Sequence, residues 1–478
     1  MLCLLYLLFP NTNANIDSWY YAACVKHGEQ LINSHHLLFN VIGRGFFILL
    51  QFFYPQTEAI HSLYILNALS ASLALFYFFK LILLLNQSKE IAMALTLFCG
   101  SCFGFFRYAT DAETYIIPLT FSLIATYYYL KPKLPKNLIL ASFFSAMAVL
   151  THQLHVWWSI ALLIYLIRDK DIQLKNKLTF FIIQLLIPMS YLISFLYFQT
   201  DSKNFISFVV GEYEKGNASI DLSLNSVLLI IINSFRTLFQ VHGNIAILFS
   251  RYPFIYTIAI VAITYVFFLF HKKNRLNLHM IRRHNPSKNR SIFFIAFLLH
   301  YIFAFLSSGN AEFMVMLPFL AVAYFACLYD FNSLRPALPI TICLVIWNLS
   351  FAIIPNNQLN LIRTDYIEAF MIKHPQAFYY LKDKPLIENK ICYKYGFRHP
   401  YKFISEDRVV SKLSLDNEIY TNWGNSDGPL NRAQLIVTSN KGINAELTWT
   451  KVDSFNNFYG KNYIWLISKP AENPIFAD

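Results

Sequence analysis

Acids, histidines and one arginine recur at the edges of long apolar runs, where an ionisable side chain is costly and usually marks a function. Asp17 stands in IDSWYY, followed by Lys26, His27 and Glu29, then His35 and His36 in NSHHLLFN. Arg107, Asp111 and Glu113 lie in FRYATDAETY, His152 and His155 in THQLHVWW, and Glu312 in GNAEF. Taken singly, each has a plain structural reading. Asp17 could cap an interfacial helix or serve as a general base placed by it; His35, His36 and Arg107 could anchor at the headgroup level. His152 and His155, three apart, share one helical face and suit either a hydrogen-bonded pair or a ligand contact. Asp111 and Glu113 flank a helix start, where acids favour the dipole. Their joint gathering in separate loops on one side suggests an active site more than a conduction path.

These loops need a membrane bundle to hold them. Of the 478 residues, 56% are hydrophobic and only 14% charged, which argues against a soluble globular enzyme, where charged residues make up about 25%. Runs such as Leu63 to Leu85, Leu178 to Phe198, Tyr252 to Phe270, Ser291 to Leu306 and Phe313 to Leu328 approach the ~20 residues that a spanning helix needs. The seven cysteines follow no zinc or disulfide spacing, and Cys99 and Cys102 lie inside an apolar run, as small packing residues do.

Three short loops hold the basic excess. They carry Lys131, Lys133 and Lys136; Arg168, Lys170, Lys175 and Lys177 against Asp169 and Asp171; and Lys272, Lys273, Arg275, Arg282, Arg283, Lys288 and Arg290 with no acid. Together they account for the whole formal charge of +12, which the positive-inside rule explains; nucleic-acid binding gains no support. With those loops cytoplasmic, parity sends residues 60–85 inward, 90–107 outward and 114–130 inward. Residues 137–167 then form two short legs turning near His152, and 178–198 exit. The stretch 225–249, interrupted by Arg236 and His242, reads as interfacial or re-entrant. Residues 11–59 and the turns carrying the acids and histidines fall outside, as does the tail after Pro355. Met1 to Pro10 is short for a span at ~1.5 Å per residue, which points to a truncated or distorted first helix. The tail is polar, with a helix expected over Asn360 to Leu381 and strands over Ala433 to Thr438 and Tyr463 to Ser468.

The expected fold is therefore an all-α polytopic membrane protein of about 10–12 transmembrane helices over residues 1–355, with a small α/β extracytoplasmic domain over 356–478. The order of motifs resembles the GT-C superfamily of polytopic glycosyltransferases, in particular bacterial relatives of protein O-mannosyltransferases. The likeness rests on Asp17, SHHLLFN, ILNALSASLALFYF at 65–78, Asp111-Ala112-Glu113-Thr114-Tyr115 and SAMAVLTHQ at 145–153, with less from Gly309-Asn310-Ala311-Glu312. His35-His36 departs from the proline-containing stretch of that family, and Ser145 stands where glycine is frequent.

The resemblance implies transfer of a sugar from a polyprenyl-phosphate donor to a glycan, lipid or protein acceptor on the extracytoplasmic side, usually with inversion; the Lys, Asn, Ile and Phe-rich composition and the lack of disulfide pairs suggest a bacterial inner membrane. Under it, Asp17 is the candidate base and Arg107 the cation for the leaving phosphate. His35, His36, Asp111, Glu113, His152, His155 and Glu312 are candidate substrate contacts, some of which could hold a divalent metal. A secondary transporter is the first alternative, but no internal repeat appears. An O-antigen polymerase or ligase is another, though its large external loop between late helices is missing; a non-catalytic scaffold is a third.

Overall fold

A computed structural model describes residues 2–85, 87–197, 204–210, 223–241, 244–272, 279–284, 287–333, 337–413, 417–423 and 448–468. The chain divides into two compact units, one of residues 1–12 and 24–357, the other of 13–23 and 358–478. The expected strand Ala433 to Thr438 and His242 lie outside the described residues.

The first unit is a helical bundle. Its helices are α1 Leu2–Leu8, the end of α2 Ile16–His27, α3 Phe39–Phe53, α4 Ala59–Leu84, α5 Lys89–Ser101, α6 Phe103–Ala109, α7 Ile116–Leu130, α8 Pro135–Thr151, α9 Val156–Arg168, α10 Leu174–Gln184 and α11 Leu186–Tyr197. There follow α12 Phe205–Val210, α13 Leu224–Leu238, α14 Asn244–Arg251, α15 Pro253–Lys272, α16 Arg290–Leu306, α17 Leu317–Leu328, α18 Ala337–Asn348 and α19 Ile354–Gln358. Strands β1 His279–Arg282 and β2 Tyr329–Ser333 pair antiparallel.

Among the described residues, four helical stretches are long and apolar enough to cross a membrane: Ala59–Leu84, Leu174–Tyr197, Ala311–Leu328 and Leu338–Gln358. Two further pairs are bent, α5 with α6 by 71° and Ile245–Arg251 with Pro253–Leu269 by 116°. Six shorter apolar helices accompany them: Phe39–Phe53, Ile116–Leu130, Pro135–Thr151, Gln153–Arg168, Leu224–Leu238 and Arg290–Leu306. The protein is thus a polytopic helical membrane protein. The two short legs expected between residues 137 and 167 are α8 and α9, which turn at His152.

Small residues let these helices approach closely. A Cβ on Gly100 would come within 2.7 Å of Leu2 Cδ1 and 2.9 Å of Leu75 Cδ1, so a larger residue there would force these two leucine side chains between α1, α4 and α5 to shift. Tyr6, buried there, donates its hydroxyl to the Gly100 carbonyl at 2.8 Å. Cys99 and Cys102 are free and buried, and Cys102 occupies the break between α5 and α6. Within the 11–59 segment, residues 39–53 are helical. They form an amphipathic helix that buries Phe39, Gly43 and Phe47 and exposes Ile48, Leu49, Phe52 and Phe53.

The second unit carries the first part of α2 together with α20 Thr364–Lys373, α21 Lys384–Tyr395 and α22 Val409–Leu413. Its sheet has β3 Phe378–Tyr380, β4 Lys402–Phe403, β5 Ile419–Thr421, β6 Thr448–Asn457 and β7 Gly460–Ser468 in the order β4-β3-β5-β7-β6. The outer two pairs on the β7 side are antiparallel, and β3 runs parallel to both β4 and β5. Ile367, Met371, Tyr379, Ile387, Ile391 and Ile464 close the core between sheet and helices. The single helix expected from Asn360 to Leu381 is corrected to α20 followed by β3. Pro375 disfavours helical backbone at His374, so the chain leaves the helix and enters the sheet.

Candidate active site

The first unit gathers its polar side chains where three turns meet. One is the turn between α6 and α7. Thr110 closes α6, and Asn11 donates its backbone N–H to the Thr110 carbonyl at 2.8 Å. The Asn11 side chain donates to Asp111 Oδ2 at 2.8 Å, and Asp111 Oδ1 accepts the Ala112 N–H at 2.9 Å. From α4, the Asn67 amide donates to the carbonyls of both Asp111 and Glu113 at 2.7 Å. Burying an unpaired polar group would cost about 1–3 kcal/mol; here the Asp111 carboxylate is buried yet bonded on both oxygens, which fixes the turn.

Glu312 ties the second turn to the first. It accepts from the buried Tyr108 hydroxyl at 3.1 Å and from that of Tyr115 at 2.9 Å, and the two rings lie 4.6 Å apart. Asn310 caps the 3-10 turn by accepting the Glu312 N–H at 3.0 Å. Gly309 just before it has φ +67°, and a Cβ there would meet the Ile230 nitrogen at 2.7 Å. Its carbonyl accepts from Asn233 of α13 at 2.7 Å. Arg107 lies over the Tyr108 ring, 5.1 Å from its centroid, within electrostatic reach of Asp111, Glu312 and Glu113. An arginine so placed can bind an oxyanion bidentately.

The third turn brings the histidines together. Leu38 and Gln153 donate backbone N–H groups to Leu150 and His35 respectively, at 2.9 and 3.0 Å, so the 35–38 loop is stitched to the α8–α9 turn. The His36 and His152 rings meet edge to face at 4.4 Å, His35 lies 6.3 Å from His36, and Tyr115 lies 5.2 Å from His152. His152 Nδ1 accepts the Leu154 N–H at 3.1 Å, so that nitrogen carries no proton. His155 shares a hydrogen bond with Ser122 Oγ at 2.8 Å and stacks on Trp158. Burial, then the neighbouring His152 and His35, hold His36 well below the usual imidazole range.

Two residues beyond the sequence-derived set belong here. His300 of α16 is buried 6.0 Å from His155, and neither ring nitrogen has a hydrogen-bond partner among the described residues. Arg236 of α13 lies 6.0 Å from the Phe103 ring, within electrostatic reach of Arg107, Tyr108 and Glu312, and its buried Nε also lacks such a partner. Both are ionisable groups in apolar helices, the signal that would have singled them out.

Asp17 belongs to the second unit, in the first turn of α2. Asn15 Oδ1 accepts the Ser18 N–H at 2.8 Å, so the capping position is filled by Asn15 and Asp17 is exposed one residue inside the helix. Among the described residues, no three His, Cys, Asp or Glu side chains are grouped to hold a metal ion.

Fold and site together define an integral membrane protein of polytopic helical architecture, with a small sheet-containing C-terminal unit and a cluster of carboxylate, arginine, tyrosine and histidine at one set of turns. No family model and no curated protein matches the chain. It is similar in structure to ArnT from Cupriavidus metallidurans bound to undecaprenyl phosphate, at 11% identity and a TM-score of 0.46, covering 97% of this chain and 96% of that one. The apo state of the same ArnT matches at 11% identity and a TM-score of 0.43, over 97% and 95%. The Archaeoglobus fulgidus oligosaccharyltransferase in complex with zinc and sulfate matches at 13% identity and a TM-score of 0.33, over 87% of this chain and 55% of that one.

Proposed function

We propose that this protein transfers a hexosyl group from a polyprenyl-phosphate donor to an acceptor on the extracytoplasmic side of a bacterial inner membrane, in the manner of the O-mannosyltransferase-like enzymes that its motifs resemble. The observation that carries the reading is the polarity of the bundle along α4. Asn67, about two turns into α4, holds the Asp111–Glu113 turn, whereas Arg283, from a basic loop, donates to the Leu85 carbonyl at 2.7 Å just beyond the C-terminal end of that helix. Leu85 follows Asn67 by eighteen positions, or ~27 Å at ~1.5 Å per residue, close to the ~30 Å of a hydrocarbon core. The turns with the acids, tyrosines and histidines, Arg107 and Arg236 among them, thus lie toward one end and the basic loop of Arg283 at the other, in keeping with the positive-inside rule.

In this chemistry, Asp17 takes the proton of an acceptor hydroxyl as its oxygen attacks the anomeric carbon. The bond from that carbon to the phosphate oxygen breaks, and the polyprenyl phosphate leaves with the bonding pair. Arg107, with Arg236 nearby, offsets the charge on the departing phosphate. Glu312 fixes Tyr108 and Tyr115, and Arg107 lies over the Tyr108 ring. Attack opposite the leaving phosphate inverts the anomeric centre. Transfer in nanodiscs from a donor of known anomeric configuration, with the product linkage read by NMR, tests the mechanism: inversion supports direct displacement by the acceptor, and retention would refute it.

A further inference from the structure

We infer that the C-terminal domain positions the Asp17 carboxylate, with Trp19, Asn389 and Tyr393 as positioning residues; this rests on the reading of Asp17 as base. Residues 13–23 form one compact unit with residues 358–478. The segment is tied at its start and along the first turns of α2. Asn13 donates its side-chain amide to the Leu359 carbonyl at 2.8 Å, and its Oδ1 accepts the N–H groups of Leu361 and Ile362 at 2.9 and 3.2 Å. The Asn389 amide of α21 donates to the Ile16 carbonyl at 2.9 Å, next to Asp17 itself. Trp19 packs on Tyr393 with ring centroids 5.2 Å apart, and the Lys390 ammonium lies 5.6 Å from the Trp19 ring. Tyr20 meets Phe397 edge to face at 6.4 Å.

The helical geometry explains why this arrangement presents a carboxylate. Successive residues turn about 100° around a helix, so Trp19 points almost opposite to Asp17. The Trp19 face is gripped by α21, and Asp17 is left exposed.

The grip has its own support. Lys390 donates to Thr364 Oγ1 at 2.9 Å and lies 3.7 Å from the buried Glu368, which Lys394 also pairs at 2.6 Å. Two cations around one buried carboxylate hold α21 against α20, and so hold the platform on which Trp19 rests. The effect of that network on turnover runs through the placement of Asp17.

The test uses the full chain in nanodiscs, comparing Trp19→Ala, Asn389→Ala, Trp19→Phe and Asp17→Asn for transfer kinetics and amide hydrogen exchange. Misplacing a reacting group by about 1 Å can cost about 100-fold. The expected result is a 10- to 100-fold fall in kcat for Trp19→Ala, donor KM within about twofold, faster exchange confined to residues 16–23, and substantial recovery in Trp19→Phe. Asn389→Ala, which removes one hydrogen bond, decides the matter if Trp19→Ala does not fold; a fall in kcat with donor KM held is again expected. Wild-type kcat in both alanine variants, with Asp17→Asn inactive, overturns this inference and leaves the base assignment standing. Full activity in Asp17→Asn removes the base assignment and the inference with it. A loss shared by kcat, KM and protection throughout the chain would mean a general structural role and would also overturn it.

Discussion

Replacing Glu312 tests the core of the site's construction. Its two carboxylate oxygens accept from Tyr108 at 3.1 Å and Tyr115 at 2.9 Å, hydroxyls supplied by α6 and by the turn that leads into α7. Glu312→Ala leaves both buried hydroxyls without that acceptor, at about 1–3 kcal/mol each. Glu312 itself is half-buried, so water can replace part of the loss, and about 2–4 kcal/mol is the expected cost of the variant. The same substitution in a Tyr108→Phe, Tyr115→Phe background strands no donor and should cost only about 1 kcal/mol, leaving a coupling of about 1–3 kcal/mol. Equilibrium unfolding in mixed detergent micelles across the full mutant cycle measures that coupling. Free energies that add to within about 0.5 kcal/mol would refute the claim that Glu312 binds the two turns together.

Other outcomes follow from the same geometry. Gly309→Ala places a methyl group 2.7 Å from the Ile230 nitrogen at φ +67°, and should destabilise the protein by about 1–3 kcal/mol in the same unfolding assay; Asn310→Gly should cost less. Arg107→Ala should weaken donor binding and slow transfer together, and Arg107→Lys should recover only part, because an ammonium lacks the bidentate fork; isothermal titration with polyprenyl phosphate reads the binding. For His36, the folded protein holds the ring neutral, whereas the unfolded chain takes up a proton near pH 6.5. Protons therefore favour unfolding below that value: stability is full above about pH 6.5 and falls as the pH drops toward the folded pKa. Melting temperature followed from pH 8 to pH 4.5 should decline more gently in His36→Phe than in the wild type.

Much of the bundle was legible because hydropathy and charge are local signals. Two basic loops separated by residues 137–167 required a pair of legs, and α8 and α9 turn at His152 as that count demanded. The stretch 225–249 holds α13 and most of α14, and the sharp bend follows it, between α14 and α15. Strand β7 was visible in the alternation of Tyr463 to Ser468. The helix over Asn360 to Leu381 ran too long because apolar periodicity continued past Pro375, which the backbone could not. The amphipathic α3 was hidden by its inclusion in an external segment, although Phe39, Gly43 and Phe47 already marked one face.

At the site, the motifs identified the turns but not their partners. Asp111, Glu113, His152 and Glu312 stood out as ionisable groups at apolar boundaries, and each lies at one of the turns that meet. Asn11, Asn67 and Tyr108 were not distinguished, because an amide or a phenol is unremarkable in sequence until another segment, tens or hundreds of residues away, supplies its acceptor. In sequence Arg236 is only an interruption of an apolar stretch, and His300 lies within a helix of aromatic residues with nothing local to tie it to the other turns. Asp17 was read together with the membrane domain because it precedes α3 in the chain; its structural companions, Asn389 and Tyr393, come more than 370 positions later.

The most direct test of glycosyl transfer from a lipid phosphate is release of the carrier. The purified chain in nanodiscs would be incubated with a panel of radiolabelled polyprenyl-phosphate sugars, with and without membrane extract as acceptor, and free polyprenyl phosphate would be quantified. The expected result is release that depends on one donor class, rises with acceptor and disappears in Asp17→Asn. Failure of a folded protein to release polyprenyl phosphate from any donor, or equal release by Asp17→Asn, would contradict it.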